Sequence, residues 1–215
     1  MKVKICGLCR AEDAAQAVAA GASHVGVVLV PGSPRVQTLE SAAAILASAG
    51  RAKRVGVFVD EGPDVVRRAG EALRLDVLQL HGVESPDVVA DLAEAGPWLV
   101  WKAVRPRSAA ELDEALRRYG PVADGLLVDG YSAAGAGGVG AAFPWEALEA
   151  VRSRVPAGLM LGVAGGLGPD TVGEAVRRLA PDLVDVSSGV EAELCRKDPA
   201  KVTAFVTAAL AAASN

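Results

Sequence analysis

Asparagine occurs once in this chain of 215 residues, at Asn215, and glutamine three times, at Gln16, Gln37 and Gln79. With abundant Ala, Arg, Gly and Val, that scarcity fits a GC-rich genome or a thermophile, and composition does not separate the two. Cysteine is also scarce. There are three, an odd number, and the N-terminal residues reach Arg10, Glu12 and Asp13 early rather than forming the apolar core of a signal peptide. A disulfide framework is therefore not expected, and a cytoplasmic location is. No apolar run approaches the roughly 20 residues of a membrane helix; the longest, 202–213, is short and rich in Ala and Thr. Positive charge is not in excess. A net charge of -4 and a pI near 5.3 lack the basic footprint of a nucleic-acid binder. The pairs Arg67-Arg68, Arg117-Arg118 and Arg177-Arg178 fall in predicted helices and read as solvated faces.

What is present is a beat. Hydrophobic residues make up 51% of the chain and charged residues 22%, as in a globular protein. Short Val- and Leu-rich runs, the form taken by buried parallel strands, fall at 3–6, 24–30, 54–59, 77–80, 99–103, 125–129, 159–163 and 183–186. Helical patterns of about 10 to 15 residues separate them. Eight such units use about 27 residues each, near the minimum for a βα repeat. Helix starts are marked by Ser85-Pro86-Asp87, Gly62-Pro63-Asp64 and Gly168-Pro169-Asp170, with Thr38 and Ser108 as further N-caps. Gly21, Gly50, Gly96 and Gly120 mark the stops. No linker divides residues 1–215, so one domain is expected.

Eight βα units either close into a barrel or spread into a doubly wound sheet. The sheet would want G-x-G-x-x-G after its first strand, and Cys6-Gly7-Leu8-Cys9 is not that. Glycine-rich turns come late instead, after the seventh and eighth strands, where barrels commonly hold a phosphate. The fold class expected is therefore α/β, a single (β/α)₈ TIM barrel.

Those late turns are the first candidate site. Ala164-Gly165-Gly166-Leu167-Gly168 and Ser187-Ser188-Gly189-Val190 let backbone N–H groups approach an anion closely, and on neighbouring strands they would converge on one phosphate. Each alone also reads as an ordinary tight turn. The glycine-rich stretch 135–140 fits either a lid or a surface loop. Cys6 and Asp129 end the first and sixth strands, where barrel residues face the active site. A thiol and a carboxylate there suit a reaction that removes one proton and donates another; packing and capping are the plainer roles. Lys4 shares a face with Cys6 and would lower its pKa. Cys6 and Cys9 also form C-x-x-C, a redox pair whose oxidation would silence the site. Only Cys195, His24 and His81 remain as further Cys or His ligands, too few for a convincing zinc site. Arg35 is placed to clamp a carboxylate. Gln79 and His81 close the fourth strand and can position a hydroxyl. Asp185, inside the eighth strand, needs a partner or a ligand.

Taken together these residues resemble the phosphoribosylanthranilate isomerase family of tryptophan biosynthesis. The similarity runs nearly end to end: Lys4-Ile5-Cys6-Gly7-Leu8, Ser33-Pro34-Arg35, Gly56-Val57-Phe58, Gln79-Leu80-His81-Gly82, Asp129 with Gly137-Gly138-Val139-Gly140 and Phe143-Pro144-Trp145, Ala164-Gly165-Gly166-Leu167, Asp185 through Glu191, and Lys197-Asp198. The resemblance implies a ribulose-phosphate-binding barrel that performs an Amadori rearrangement of an aminoaldose to an aminoketose. It makes Cys6 the general base and Asp129 the general acid, and Arg35 the contact for the anthranilate carboxylate. It implies no metal and no organic cofactor, and a small phosphorylated substrate as partner. A monomer and a homodimer are both compatible. The chain departs from the family pattern at Cys9 and Val139, where Thr is usual, and at Pro144, where Asp is usual. A sugar-phosphate epimerase, or a phosphoribosyl-binding barrel without turnover, is the alternative.

Overall fold

The short β-branched runs pair in parallel because each is too short and too apolar to stand at a solvent-facing edge. In the computed structural model, which describes residues 1–130 and 145–214, eight of them form a closed barrel in sequential order. The strands are β1 (Lys2–Ile5), β2 (His24–Val28), β3 (Lys53–Phe58), β4 (Val77–Leu80), β5 (Leu99–Val104), β6 (Gly125–Asp129), β7 (Met160–Ala164) and β8 (Leu183–Val186). Closure is made by β8 against β1, with Lys4 opposite Asp185.

The outer ring is α1 (Ala11–Ala19), α2 (Leu39–Ala47), α3 (Pro63–Leu73), α4 (Pro86–Glu94), α5 (Ala109–Tyr119), α6 (Trp145–Val151), α7 (Val172–Leu179) and α8 (Pro199–Ala213). Thr38, Ser85 and Ser108 cap α2, α4 and α5 by accepting from Ser41, Val88 and Glu111 amides, each worth about 1 kcal/mol. Some boundaries differ from expectation. Gly168-Pro169-Asp170 does not start α7, which begins at Val172 after the Gly168 amide donates to Thr171 Oγ1. Of the expected glycine stops, Gly21 and Gly50 adopt positive φ, whereas Gly96 and Gly120 do not, Gly120 capping α5 in the right-handed conformation. α3 and α7, for which no stop is expected from sequence, end at Arg74 and Ala180, which take the left-handed conformation without being glycine.

Alternation along each strand sorts the side chains. Val3, Ile5, Val25, Leu78 and Leu126 point outward into the layer shared with the helices. Val55, Val77, Trp101, Leu127, Met160 and Leu183 fill the barrel interior. A two-stranded hairpin, β9 (Glu191–Glu193) and β10 (Arg196–Lys197), follows β8, and sequence periodicity did not reveal it. No helix among the described residues is long and apolar enough to cross a membrane.

Candidate active site

At the C-terminal mouth of the barrel lies a cavity of about 360 Å³. Cys6, Arg35, Gln79, His81, Asp129, Gly165, Gly166, Asp185, Ser187, Ser188 and Gly189 all line it, so the structure gathers every candidate into one place. A larger cavity, about 620 Å³, opens at the other end between α7, α8 and the start of β1. It gathers neither the candidate acid and base nor the glycine-rich turns.

Cys6 follows β1 directly, its amide bonded to the Val186 carbonyl at 2.8 Å. Beneath it Lys4 is fully buried, and its Nζ donates to Asp185 Oδ2 at 2.9 Å. Gly26 on β2 makes room for both. A Cβ there would lie 3.1 Å from Cys6 Sγ and 3.1 Å from Lys4 Cε. Burial works against the Lys4 charge, but Asp185 and the neighbouring Cys6 outweigh it and hold the ammonium above its ordinary pKa. Burial pushes the Cys6 thiol up; Lys4 draws it back only in part, and Asp185 pushes it further up. The expectation that Lys4 lowers the thiol therefore holds for its own contribution and fails for the sum, because the same burial that brings Lys4 close also removes water from Cys6.

The expected Cys6–Cys9 pair does not form. Cys9 is joined by a disulfide to Cys195, at the tip of the β9–β10 hairpin, with Cα atoms 5.3 Å apart, while Cys6 is a free buried thiol. Cys9 and Cys195 are separated by 186 positions, so no local spacing could signal the bridge, and the expectation of no disulfide is corrected with it.

Asp129 ends β6. Its Oδ2 receives His81 Nε2 at 3.1 Å and Arg105 Nε at 3.2 Å. Burial works to raise this carboxyl, but His81 and Arg105 outweigh it and hold it below the ordinary carboxylate range. His81 sits just past β4, and its Nδ1 lies 3.1 Å from the Gln79 side-chain amide. The turn carrying His81 is held from behind by Lys102. That buried ammonium donates to the carbonyls of Leu80, Gly82 and Ala103 at 3.3, 2.8 and 2.8 Å, and pairs with Glu84 at 3.0 Å.

Arg35 faces Glu191 at the start of β9. Nε and Nη2 donate to Oε1 and Oε2 at 2.7 and 2.6 Å, a bidentate fork. Lys197 Nζ completes the cluster with bonds of 3.0 Å to Glu191 Oε1 and to the Ser187 carbonyl. The fork predicted to meet a substrate carboxylate is thus engaged by a residue of the chain. Glu191, Lys197 and Arg105 had been given no role from sequence. Arg105 stands just beyond the end of β5, and the rule that such positions face a barrel's active site was the signal for it.

Gly165 and Gly166 take φ of +85° and +69°. A Cβ on Gly165 would run into the Gly130 backbone and lie 2.8 Å from Asp129 Oδ1, so the turn can pass the acid candidate only as glycine. The turns after β7 and β8 meet at Leu167 and Gly189, where a Cβ on Gly189 would overlap the Leu167 carbonyl. Residues 135–140, together with Val139 and Pro144, lie outside the described residues. Among the described residues, no group of three or more Cys, His, Asp or Glu is placed to hold a metal.

A sequential parallel barrel, with a thiol, a carboxylate and two glycine turns at its C-terminal mouth, has the form of a (β/α)₈-barrel enzyme with groups suited to acid–base chemistry. Residues 3–208 match the family model of N-(5'phosphoribosyl)anthranilate (PRA) isomerase, and the chain belongs to that family. An N-(5'-phosphoribosyl)anthranilate isomerase of Chromohalobacter salexigens is 47% identical over 210 residues, spanning 96% of this chain and 92% of that protein. The crystal structure of phosphoribosyl anthranilate isomerase from Thermotoga maritima superimposes with a TM-score of 0.89 at 35% identity, covering 98% of this chain and 99% of its own. A second solved structure, a phosphoribosyl anthranilate isomerase in complex with reduced 1-(o-carboxyphenylamino)-1-deoxyribulose 5-phosphate, gives 0.85 at 33% identity with the same coverage. The chain is accordingly an isomerase of tryptophan biosynthesis, converting an aldose to a ketose by an Amadori rearrangement.

Proposed function

We propose that Cys6 and Asp129 divide the proton chemistry of this rearrangement. Asp129 protonates the furanose ring oxygen, the ring opens to a Schiff base, and Cys6 removes the C2′ proton. The observation that carries this reading is the position of the two groups on opposite sides of one mouth, ending β1 and β6, with the glycine turns after β7 and β8 bordering the same cavity. Those turns, through Gly165, Gly166, Ser187, Ser188 and Gly189, would take the phosphate on backbone N–H groups. The relative solved with a phosphorylated product analogue supports a ligand of that chemistry.

Asp185 holds Lys4 through Oδ2, while its Oδ1 is buried without a partner among the described residues. That free acceptor suits a sugar hydroxyl. Arg35 would meet the anthranilate carboxylate by sharing its fork with Glu191. Such sharing gives Glu191 and Lys197 the task of setting the guanidinium's angle. The assembly is a monomer or a homodimer; monomers derived from a dimeric relative of T. maritima have been solved.

The test is a turnover assay with the substrate generated in situ and followed by loss of its fluorescence. Cys6→Ser and Asp129→Asn are each expected to lower kcat by about 10²- to 10⁴-fold, the usual contribution of a positioned acid or base. Full turnover by both variants would overturn the assignment.

A further inference from the structure

A general acid must hold a proton before the substrate arrives, and the structure leaves Asp129 poorly placed to keep one alone. Two donors, His81 Nε2 and Arg105 Nε, converge on its Oδ2, and both favour the ionised carboxylate. Behind His81 the chain of contacts continues, since Nδ1 is 3.1 Å from the Gln79 amide nitrogen. Gln79 is 1% exposed, and its Oε1 is buried without a hydrogen-bond partner among the described residues. Turning that amide by half a turn exchanges its two ends at nearly the same positions. With Nε2 toward the ring, the amide donates to an unprotonated Nδ1. With Oε1 toward the ring, it accepts from a protonated Nδ1, and the orphaned oxygen gains a partner. With Oε1 toward the ring, Gln79 therefore accepts from Nδ1–H both in the imidazolium and in the neutral ring left after Nε2 gives up its proton.

We propose that Gln79, His81 and Asp129 form a proton relay in which His81 stores the proton that Asp129 delivers to the ring oxygen. This inference rests on Asp129 being the acid. His81 passes the Nε2 proton to Asp129 Oδ2, Asp129 hands a proton to the ring oxygen, and the C–O bond of the ring breaks with its electrons kept by that oxygen. The isomerisation is proton-neutral. The proton that Cys6 takes from C2′ returns to C1′ as the enol becomes the ketone, and the hydroxyl proton lost in that step matches the one delivered and recharges His81 through Asp129 or water. His81 acts through Asp129 and is a positioning residue rather than one that touches substrate.

The charged groups around His81 bear on its pH dependence. Asp129 approaches from β6, Arg105 and the Glu84-paired Lys102 from β5, and Asp60 from the segment after β3. Arg118 on α5 lines the outer side, and Cys6, Arg35 and Asp185 stand across the mouth. The turn bearing His81 is fixed by the Lys102 bonds described above, so the imidazole is held in line with Asp129 rather than free to swing.

The experiment compares kcat and KM from pH 5.5 to 9 in wild type, His81→Asn, Gln79→Glu and Asp129→Asn. His81→Asn is expected to lower kcat at pH 8 by about 30-fold or more with KM within about threefold, and to move the alkaline limb of kcat at least about one unit to acid, so that activity recovers toward pH 6. Gln79→Glu, which places a carboxylate beside Nδ1 and favours the imidazolium, is expected to move the same limb upward. A loss in His81→Asn that is the same at every pH, or an unchanged kcat at pH 8, would overturn the relay. If His81→Asn does not fold, the direction in which Gln79→Glu moves the limb still decides. Asp129→Asn separates the two claims: if it turns over like wild type the acid assignment itself fails, whereas if it is inactive while the other outcomes are negative only the relay fails.

Discussion

Lys4 is the residue through which strand pairing and chemistry meet. Its register opposite Asp185 is fixed by closure of the barrel, and its position two residues before Cys6 puts its ammonium against the thiol. A buried pair of this kind adds little net stability against an apolar replacement, yet removing one partner leaves an uncompensated charge. Lys4→Met is therefore expected to lose about 3–5 kcal/mol by chemical denaturation, with Asp185 stranded. Lys4→Met combined with Asp185→Asn should recover most of that loss. In Lys4→Met the Cys6 thiol should also rise further, since its largest lowering partner is gone. Alkylation of Cys6 as a function of pH reads this directly, because the other cysteines are held in the disulfide. A midpoint that stays where it is in wild type would show that Lys4 does not act on Cys6.

At the scale of elements, the strands were legible and the hairpin was not. β4, β6 and β8 match the apolar runs read from sequence at both ends, because a strand buried on both faces admits little but Val and Leu. β9 and β10 are only three and two residues long, and Glu191, Glu193 and Arg196 give no period to follow. Their placement depends on contacts across the whole chain: Glu191 with Arg35, Lys197 with the Ser187 carbonyl and with the Asp13 carboxylate, and Cys195 with Cys9. The site was legible to the extent that it sits on strand ends. Strand-end position brings Cys6, Gln79, His81, Asp129 and Asp185 to the cavity as expected, whereas Glu191 and Lys197 sit on the hairpin, which has no sequence period, and Arg105 has the same strand-end signal without a role drawn from it. Two consequences belong here. Reducing the Cys9–Cys195 bridge frees a loop of 186 positions, for which the chain-entropy account allows up to about 5 kcal/mol. A lower Tm in reductant, absent in Cys195→Ser, is the expected result of a melting experiment. Gly165→Ala drives a methyl toward Gly130 and Asp129 Oδ1, so kcat/KM should fall by about 10-fold or more through misplacement of the acid, with the fold retained by circular dichroism.

The molecule as a whole separates its two ends. The groups proposed to move protons gather at the C-terminal mouth, while the opposite end holds a cavity of about 430 Å³ lined by His24, Trp101 and Met160. His24 is 6% exposed, its ring 5.2 Å from Trp101, its Nδ1 2.8 Å from Ser23 Oγ. Burial first, and then the charges of Lys4 and Lys2, lower its pKa to about 4. The unfolded chain takes up a proton at His24 near the ordinary value of about 6.5, while the folded protein refuses it until about pH 4. The contribution of His24 to stability should therefore be level above about pH 6.5 and fall as pH drops toward 4, by about 3 kcal/mol in all. The buried or partly buried carboxylates held low by their partners, Asp129, Asp76, Glu84 and Glu191, act in a different window. Their contribution is present above the ordinary carboxylate range and is lost only as pH falls through their depressed values. Acid unfolding should then proceed in two stages, with His24 contributing to the first. Urea titrations at pH 7, 5.5 and 4.5 on wild type and His24→Gln separate them: the variant, although less stable at pH 7, should lose far less between pH 7 and 4.5 than wild type. Parallel losses in the two proteins would mean that His24 takes up its proton without cost, and that acid sensitivity arises from the carboxylates.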